Sequence, residues 1–532
     1  MKKKINLSKW VIMGLGIGLL SSCSDSIMNR INNNPDNPLT AASKFVVSDL
    51  ETSTAFNVVG SDLSFYASLY MEHEVGTYGQ MYDAELRQTQ PVSATTYDNA
   101  WIYLYNNLKN AKIVIKNCSA GGPEAGNNVT KGVAEVLAAY NSAIIADMFG
   151  DAPYSQAADL NIPAPGSYLN PKIDTQQSIY QAVFAYLDQA ITDLQGSDAA
   201  ATGPLGTHDF IFGNAANPAA QWIKFAYGLK ARYTMHLLYR SANQAQDLQN
   251  IIAWANKSFN SASDDAKYAV YQGYGSAADS PFAEFYFDRD YFSVSQSFVD
   301  KLVKRNDPRA SVLFMSGGWS LRTDPSQIYA APNGNPTQQM DVYDVSVYSL
   351  GFEVPTDLLS YHELQFLKAE AFSRLGNQDS AWACMSNGVR SCIATKITTL
   401  ANIVNTDPTV QMYNGGPLGM STIPDSAVVN YLNNNVKRLF QDYPTREIMV
   451  QKYLALYGGE GEALEVYNDY RRLKAMGQAS FITLENPLDA TKFPLRYTYG
   501  TSDVTANPNV ANAYGNGQYV YTDPVWWAGG TH

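Results

Sequence analysis

Three segments of the chain set aromatic rings beside carboxylates and guanidinium groups. "GTYGQMYDAELRQ" carries Tyr78, Tyr82, Asp83 and Arg87. "AEFYFDRDYF" carries Tyr286, Arg289, Asp290 and Tyr291, and "SGGWSLR" carries Trp319 and Arg322 behind Gly317-Gly318. Trp101 opens a helix near the first group. A flat ring offers an apolar platform, and Asp, Asn, Arg or Gln around it offer directional hydrogen bonds. A sugar presents apolar C–H faces and a rim of hydroxyls, which suits that combination. The glycine pair lets a ligand approach the backbone closely. Trp319 and Tyr82 rank first among these residues. The competing reading of each is a loop aromatic that packs on the scaffold.

Bond-breaking chemistry finds less support. The five histidines are His73, His208, His236, His362 and His532. His73-Glu74 lacks the second histidine of a zinc-protease helix, and neither a P-loop nor a G-x-S-x-G elbow occurs. Asp288-Arg289-Asp290 lacks the spacing of a calcium loop. No catalytic residue, metal site or cofactor is expected, and the chain reads as a binding protein rather than an enzyme. Carboxylates are plentiful, so a surface glycoside hydrolase built on two of them is the alternative from the enzyme class. A structural adaptor with no small ligand is a further one.

Composition narrows the partners. The chain has 532 residues, 16% of them charged, with 36 tyrosines and a formal net charge of -12. Soluble domains usually carry about 25% charged residues. An acidic chain without a basic stripe makes a poor nucleic-acid binder. The cysteines are Cys23, Cys118, Cys384 and Cys392. The last two lie on one expected helix, roughly 12 Å apart, beyond the ~7 Å that a disulfide tolerates. Three of the four read as buried small hydrophobes.

Cys23 is the exception. "MKKKINLSKW" is a basic leader, and Val11 to Leu20 is an apolar run too short to span a bilayer. Leu20-Ser21-Ser22-Cys23 resembles a bacterial lipobox, in which the cysteine is acylated and becomes the mature N-terminus. Residues 1–22 are then a signal peptide, Cys23 is the lipidation site, and 23–40 form a flexible tether. Fully extended, residues 24–40 reach roughly 55–60 Å. No later segment reads as long and apolar enough to span a membrane.

The elements that must position the aromatic segments are helical. Trp222, Phe225, Ala226, Leu229 and Tyr233 share one face at the i, i+3, i+4, i+7 spacing. Leu364, Leu367, Ala371 and Leu375 form a second stripe, Gly376-Asn377 interrupts it, and Trp382, Met385, Val389 and Ile393 repeat it. That is an αα-hairpin. Ala369, Phe372 and Ala381 partly match the small–large–small packing of tetratricopeptide repeats. Further helices are expected at 41–70, 98–117, 132–148, 177–194, 220–240, 246–258, 294–304, 446–457 and 460–475, making around four irregular hairpins. Long loops are expected at 150–175, 196–219, 262–292, 315–356, 401–426 and 486–532. The fold class is all-α, a TPR-like hairpin scaffold with long loops forming a ligand-binding face, and 41–532 reads as one domain.

Five motifs in order then carry a resemblance along almost the whole chain. They are "NNNPDNPLTAA", "IIADMFGDAPYSQA", "SVSQSFVDKLVKRNDPR", "ELQFLKAEAFSRLG" and "IMVQKYLALYGGEGEALEVYNDYRRL". The chain resembles the SusD/RagB (SusD-like) outer-membrane lipoproteins of Bacteroidetes. The resemblance implies a lipid-anchored protein on the outer face of the outer membrane. It would bind nutrient oligomers, glycans or in some members peptides. It would deliver them to a partner SusC-like, TonB-dependent transporter. The motifs themselves read as structural. Glu363, Glu370 and Arg471-Arg472 suit helix–helix salt bridges or caps, and Asp147, Gly150, Asp151 and Pro153 suit a helix end and a sharp turn. Asp25 after Ser24 partly resembles the acidic cue for surface export.

Overall fold

A computed structural model describes residues 41–532 except 90, 92–96, 159–169, 277, 459, 487–491 and 532. The signal peptide, Cys23 and the tether lie outside the described residues. The first helices are α1 (Ser43–Ser53), continued by a π-helical segment to Val59, and α2 (Asp62–Tyr70). Strand β1 (Glu74–Gly76) and α3 (Gly79–Leu86) follow, then the long α4 (Asp98–Cys118) and α5 (Asn128–Phe149). After β2 (Ala152–Pro153) and β3 (Ile173–Asp174) come α6 (Gln176–Asp193), α7 (Pro218–His236) and α8 (Gln244–Ala255). The middle holds β4 (Ala266–Tyr268), α9 (Pro281–Arg289), β5 (Phe292–Val294), α10 (Gln296–Val303), β6 (Phe314–Met315), β7 (Val345–Ser346) and β8 (Thr356–Leu359). Next are α11 (Tyr361–Arg374), α12 (Gln378–Cys392), α13 (Thr398–Thr406), α14 (Pro408–Asn414), α15 (Asp425–Tyr431) and α16 (Lys437–Asp442). The chain ends through α17 (Pro444–Ala455), α18 (Glu460–Ala475), α19 (Thr501–Ala506) and α20 (Pro508–Tyr514).

The hairpins arise where side chains cap the helices. Ser360 accepts a hydrogen bond from the Glu363 amide to open α11, and Asn377 does the same for α12 through Ser380. Between them Gly376 sits at φ +83°, with its N–H on the Ser373 carbonyl and the Asn377 N–H on Phe372. That is a Schellman stop, which glycine adopts without strain. Ala369, Ala371, Ala381, Met385 and Val389 of the two helices are buried. A Cβ at Gly388 would lie 3.0 Å from the Phe366 ring, so α12 is held at close approach to α11. Helices α4–α5, α5–α6 and α7–α8 pair in the same way. Trp222, Phe225, Ala226, Leu229 and Tyr233 are all buried, as their spacing requires. One continuous core runs from Val47 to Ala528.

Some sequence expectations need correction. The helix expected over 41–70 breaks at Gly60-Ser61, where Ser61 leaves helical dihedrals. α5 does have the length and apolarity of a membrane span, contrary to expectation, yet its most apolar window is wholly buried in the fold. A helix apolar all round belongs in a core. Several short helices lie inside expected loops, α9, α14, α19 and α20; α13 runs into one, and α3 falls in a stretch for which no element was expected. Their stripes are too short to read as periodic, but Asp407-Pro408 and Asn507-Pro508 were legible starts, a capping side chain followed by proline at the first turn. α17 packs on α11 and α12, whereas α18 packs mainly on α2 and β8, tying the C-terminal part to the N-terminal part.

A buried charge network fastens these helices. Arg472 of α18 gives both terminal nitrogens to Glu370 of α11 at 2.7 and 2.8 Å, and also reaches Asp469 at 2.8 Å. Arg232 of α7 forks onto Glu363, and Lys452 of α17 meets Asp469 at 2.7 Å. The expected structural role of Glu363, Glu370 and Arg472 is therefore what the fold uses. Arg471 donates to the Asp147 carbonyl at 2.8 Å. The Asp147 side chain accepts from Trp527 at 2.9 Å and faces His236 at 3.2 Å. Asp151 caps α6 through the Gln176 amide at 2.7 Å, and Pro153 pairs with Ile173 across β2–β3. Cys118, Cys384 and Cys392 are free and buried.

Candidate ligand-binding cleft

A turn of five residues between β6 and Leu321 carries Trp319. The Trp319 N–H bonds the Ser316 carbonyl at 2.8 Å, and the Ser316 N–H bonds Ser320 at 3.0 Å. Met315 bridges Leu321, and β6 pairs with β7, so the turn is held at both ends. Trp319 sits at φ +61°, a left-handed conformation that a tryptophan adopts only at a cost of about 1–2 kcal/mol. Gly317 faces open space, and a Cβ at Gly318 would meet only the Ser316 hydroxyl, at 3.9 Å. Strain of this kind persists only where the surrounding structure over-determines it, here through the β6 pairing, the hydrogen bonds of the turn and the packing of the ring against the core.

Beneath the turn opens a cleft of about 430 Å³, within the usual range of ligand sites of roughly 300–1,000 Å³. Trp319, Phe287, Tyr343 and Tyr286 give it aromatic walls, and Asp290, Asp341, Ser293 and Ser349 give it polar ones. The Trp319 ring lies 6.1 Å from Phe287 and 5.9 Å from Tyr413, an exposed ring on α14. Tyr274 backs Phe287 at 4.8 Å and donates its hydroxyl to Asp288 at 2.8 Å. Asp290 caps α9 in a left-handed conformation, its N–H on the Tyr286 carbonyl. Burial, together with the Asp341 carboxyl beside it, pushes the Asp290 pKa up to about 7.

The antiparallel pairing of β1 with β5 sets Glu74 against Val294 and Gly76 against Phe292. It brings the first aromatic segment to the second. The Thr77 N–H bonds the Tyr291 carbonyl at 2.9 Å, and the exposed Tyr78 ring lies 5.4 Å from Tyr291. Tyr82, on α3, donates its hydroxyl to the Pro336 carbonyl at 2.7 Å, and Asp83 is exposed beside it. Tyr82 therefore touches the loop that leads to Asp341, and Thr77 and Tyr78 lie against Tyr291, which follows Asp290.

Other expected ligand residues are engaged elsewhere. Trp101 is 1% exposed. Its indole N–H bonds Asp503 at 3.0 Å and its ring meets Phe149 edge-on at 4.8 Å, so it opens α4 facing inward. Arg87 is buried, its guanidinium lying over the Tyr70 and Phe493 rings. Tyr286 is buried, and although its ring lines the cleft, its hydroxyl bonds Glu74 at 3.1 Å. Burial raises the Glu74 pKa to about 8. Arg322 is committed to Asp344 by two bonds of 2.7 and 2.8 Å. Arg289 is exposed but lines a separate cleft of about 290 Å³ with Phe56, Phe65 and Phe285. The sequence reading missed Phe287, Asp341, Tyr343 and Tyr413. The same rule of a loop aromatic beside a carboxylate would have found Asp341 and Tyr343 in "QMDVYDV". Among the described residues, no three His, Cys, Asp or Glu side chains converge as metal ligands.

Comparison with known proteins gives the family. The model of a family called SusD-like, described as starch-binding and associating with the outer membrane, matches residues 36–500. A crystal structure of a SusD/RagB family protein from Bacteroides thetaiotaomicron superposes with a TM-score of 0.83 at 42% identity, covering 93% of this chain and 100% of that one. A chitin-binding protein superposes at 0.67 with 20% identity, over 92% and 99% of the two chains. A chitin-binding SusD homolog from Flavobacterium johnsoniae superposes at 0.65 with 18% identity, over 91% and 98%. The last two likenesses establish the fold alone. No protein of curated description matches the sequence.

Proposed function

Because the chain belongs to the SusD-like family of nutrient-binding outer-membrane proteins, we propose that it captures glycan oligomers in the Trp319 cleft and hands them to a SusC-like, TonB-dependent transporter. The observation that carries the ligand is the ring of Trp319, held at φ +61° over a cleft of about 430 Å³ with aromatic walls. A ring so presented stacks on the C–H face of a sugar, and the Asp290 and Asp341 carboxyls reach its hydroxyls. Binding without bond cleavage fits the absence of a catalytic motif in the sequence. Acylation at Cys23 anchors the protein, with the tether leaving the domain of residues 41–532 free above the membrane. Several acyl chains on one residue exceed the roughly two signals that stable anchoring needs.

The test uses the full-length protein in detergent, titrated calorimetrically with neutral glycan oligomers and with peptides of matched length. Glycan binding that Trp319→Ala weakens supports the reading. Binding of peptides alone transfers the site to a peptide carrier, and release of shorter sugars makes the protein a hydrolase. Affinity capture from native membranes should retain a large β-barrel transporter. A fatty-acid probe should label the wild type and not Cys23→Ala.

A further inference from the structure

The charged side chains that line the cleft are all of one sign. Among its lining residues, Asp290 and Asp341 are the acidic side chains, and no lysine, arginine or histidine is present. The arginines adjoining it in sequence are directed elsewhere. Arg322 is forked onto Asp344, which sits between the lining residues Tyr343 and Val345, and Arg289 opens on the separate cleft beside Phe285. Both lining aspartates occupy left-handed dihedrals, Asp290 at φ +49° and Asp341 at +62°, so each sits at a fixed corner of the backbone.

Resting on the reading of the Trp319 cleft as the ligand site, we infer that the cleft selects ligands by charge: it takes uncharged or amine-bearing sugars and rejects acidic ones such as uronic-acid or sulfated oligomers. The physical reason is one of mismatch. A carboxylate or sulfate entering between Trp319 and the aspartates loses water and meets like charge, with no guanidinium or ammonium to receive it. Juxtaposed like charges at an interface cost enough to exclude a wrong partner. A hydroxyl can instead donate to either carboxyl, and an ammonium can sit between the two. Burial first, and then the Asp341 carboxyl beside it, push the Asp290 pKa up to about 7, so the repulsion of an acidic ligand is fullest above that pH. Trp319 supplies affinity for any sugar face, and the aspartates then decide which sugars remain.

The experiment titrates the full-length protein in detergent with three oligomers of equal length. They are an N-acetylglucosamine oligomer, its deacetylated amine form, and an oligogalacturonate. The first two are expected to bind, and the third at least about tenfold more weakly. Asp290→Asn with Asp341→Asn should narrow that gap, while Trp319→Ala should weaken every oligomer that binds. An oligogalacturonate as tight as the neutral oligomer overturns the inference, as does a gap that survives the double substitution. If those results come with a Trp319→Ala loss, the cleft remains the glycan site and only charge selection falls. If no oligomer binds, the glycan reading itself fails and takes the inference with it.

Discussion

The helical scaffold and the cleft handle charge in opposite ways. Between α7, α11, α17 and α18 the ionised groups are buried and paired with opposite charges: Arg472 with Glu370 and Asp469, Arg232 with Glu363, Lys452 with Asp469. At the cleft the carboxyls are partly solvated and like-signed, and Trp319 sits in a left-handed turn. A buried ion needs its partner, because leaving one unpaired costs several kcal/mol. A half-exposed site can keep its polar atoms unmatched for a ligand, because water satisfies them meanwhile. The rigidity of the first region is what permits the frustration of the second.

That contrast can be broken at either end. Arg472→Ala removes two of the three hydrogen bonds that arginines give the buried Glu370 carboxylate and leaves it to Arg374 alone, and urea unfolding should show a loss of about 3 kcal/mol. Ligand affinity of the still-folded fraction should stay near wild type, and a parallel loss of affinity would mean that the two regions are not separable. His236 offers a milder lever on the scaffold. Burial alone would depress its pKa, but Glu465 and Asp147 overcome this and hold it at about 9. A group raised above its unfolded value of about 6.5 contributes fully below that pH and loses its contribution as pH rises through 9. The stabilisation at stake is on the order of 3 kcal/mol. Melting temperature should therefore fall between pH 7 and 10, and His236→Gln should flatten that slope.

At the other end, Trp319→Ala should weaken glycan binding by about 1–3 kcal/mol while melting temperature falls only slightly, since alanine keeps the strained left-handed backbone and only a partly exposed ring contact is lost. A large drop in melting temperature would instead make Trp319 part of the scaffold. Gly376→Ala puts a Cβ at φ +83° in the α11–α12 turn, and should cost about 1 kcal/mol of stability with no change in affinity. The smallest effect is expected of Tyr82→Phe. It removes one exposed hydrogen bond to Pro336, and unfolding should move by less than about 0.5 kcal/mol. An affinity loss comparable to that of Trp319→Ala would draw Tyr82 into the site.

Much of the scaffold was legible because it rests on long periodic stripes. The α11–α12 hairpin, with its stop at Gly376-Asn377, needed only the spacing of Leu364, Leu367 and Ala371 and of Met385 and Val389. The cleft was legible in part, because loop aromatics beside acids are a rule of composition that Trp319 and Asp290 satisfy. The same rule also pointed to Trp101 and Arg87, which tertiary packing buries. It passed over Tyr413, which lies on a short helix far along the chain yet meets Trp319 in space.

The sequence alone determined the all-α class, the helix–helix role of Glu363, Glu370 and Arg472, and the family. Each rests on local periodicity or on ordered motifs, which survive without knowing what touches what. Only the tertiary structure decided which arginines are free. Arg87, Arg289 and Arg322 look alike as residues beside aromatics. Burial under Phe493, a second cleft and the Asp344 carboxylate separate them from the Trp319 cleft. Whether a charge faces a ligand depends on partners far away in sequence, and no local pattern encodes them.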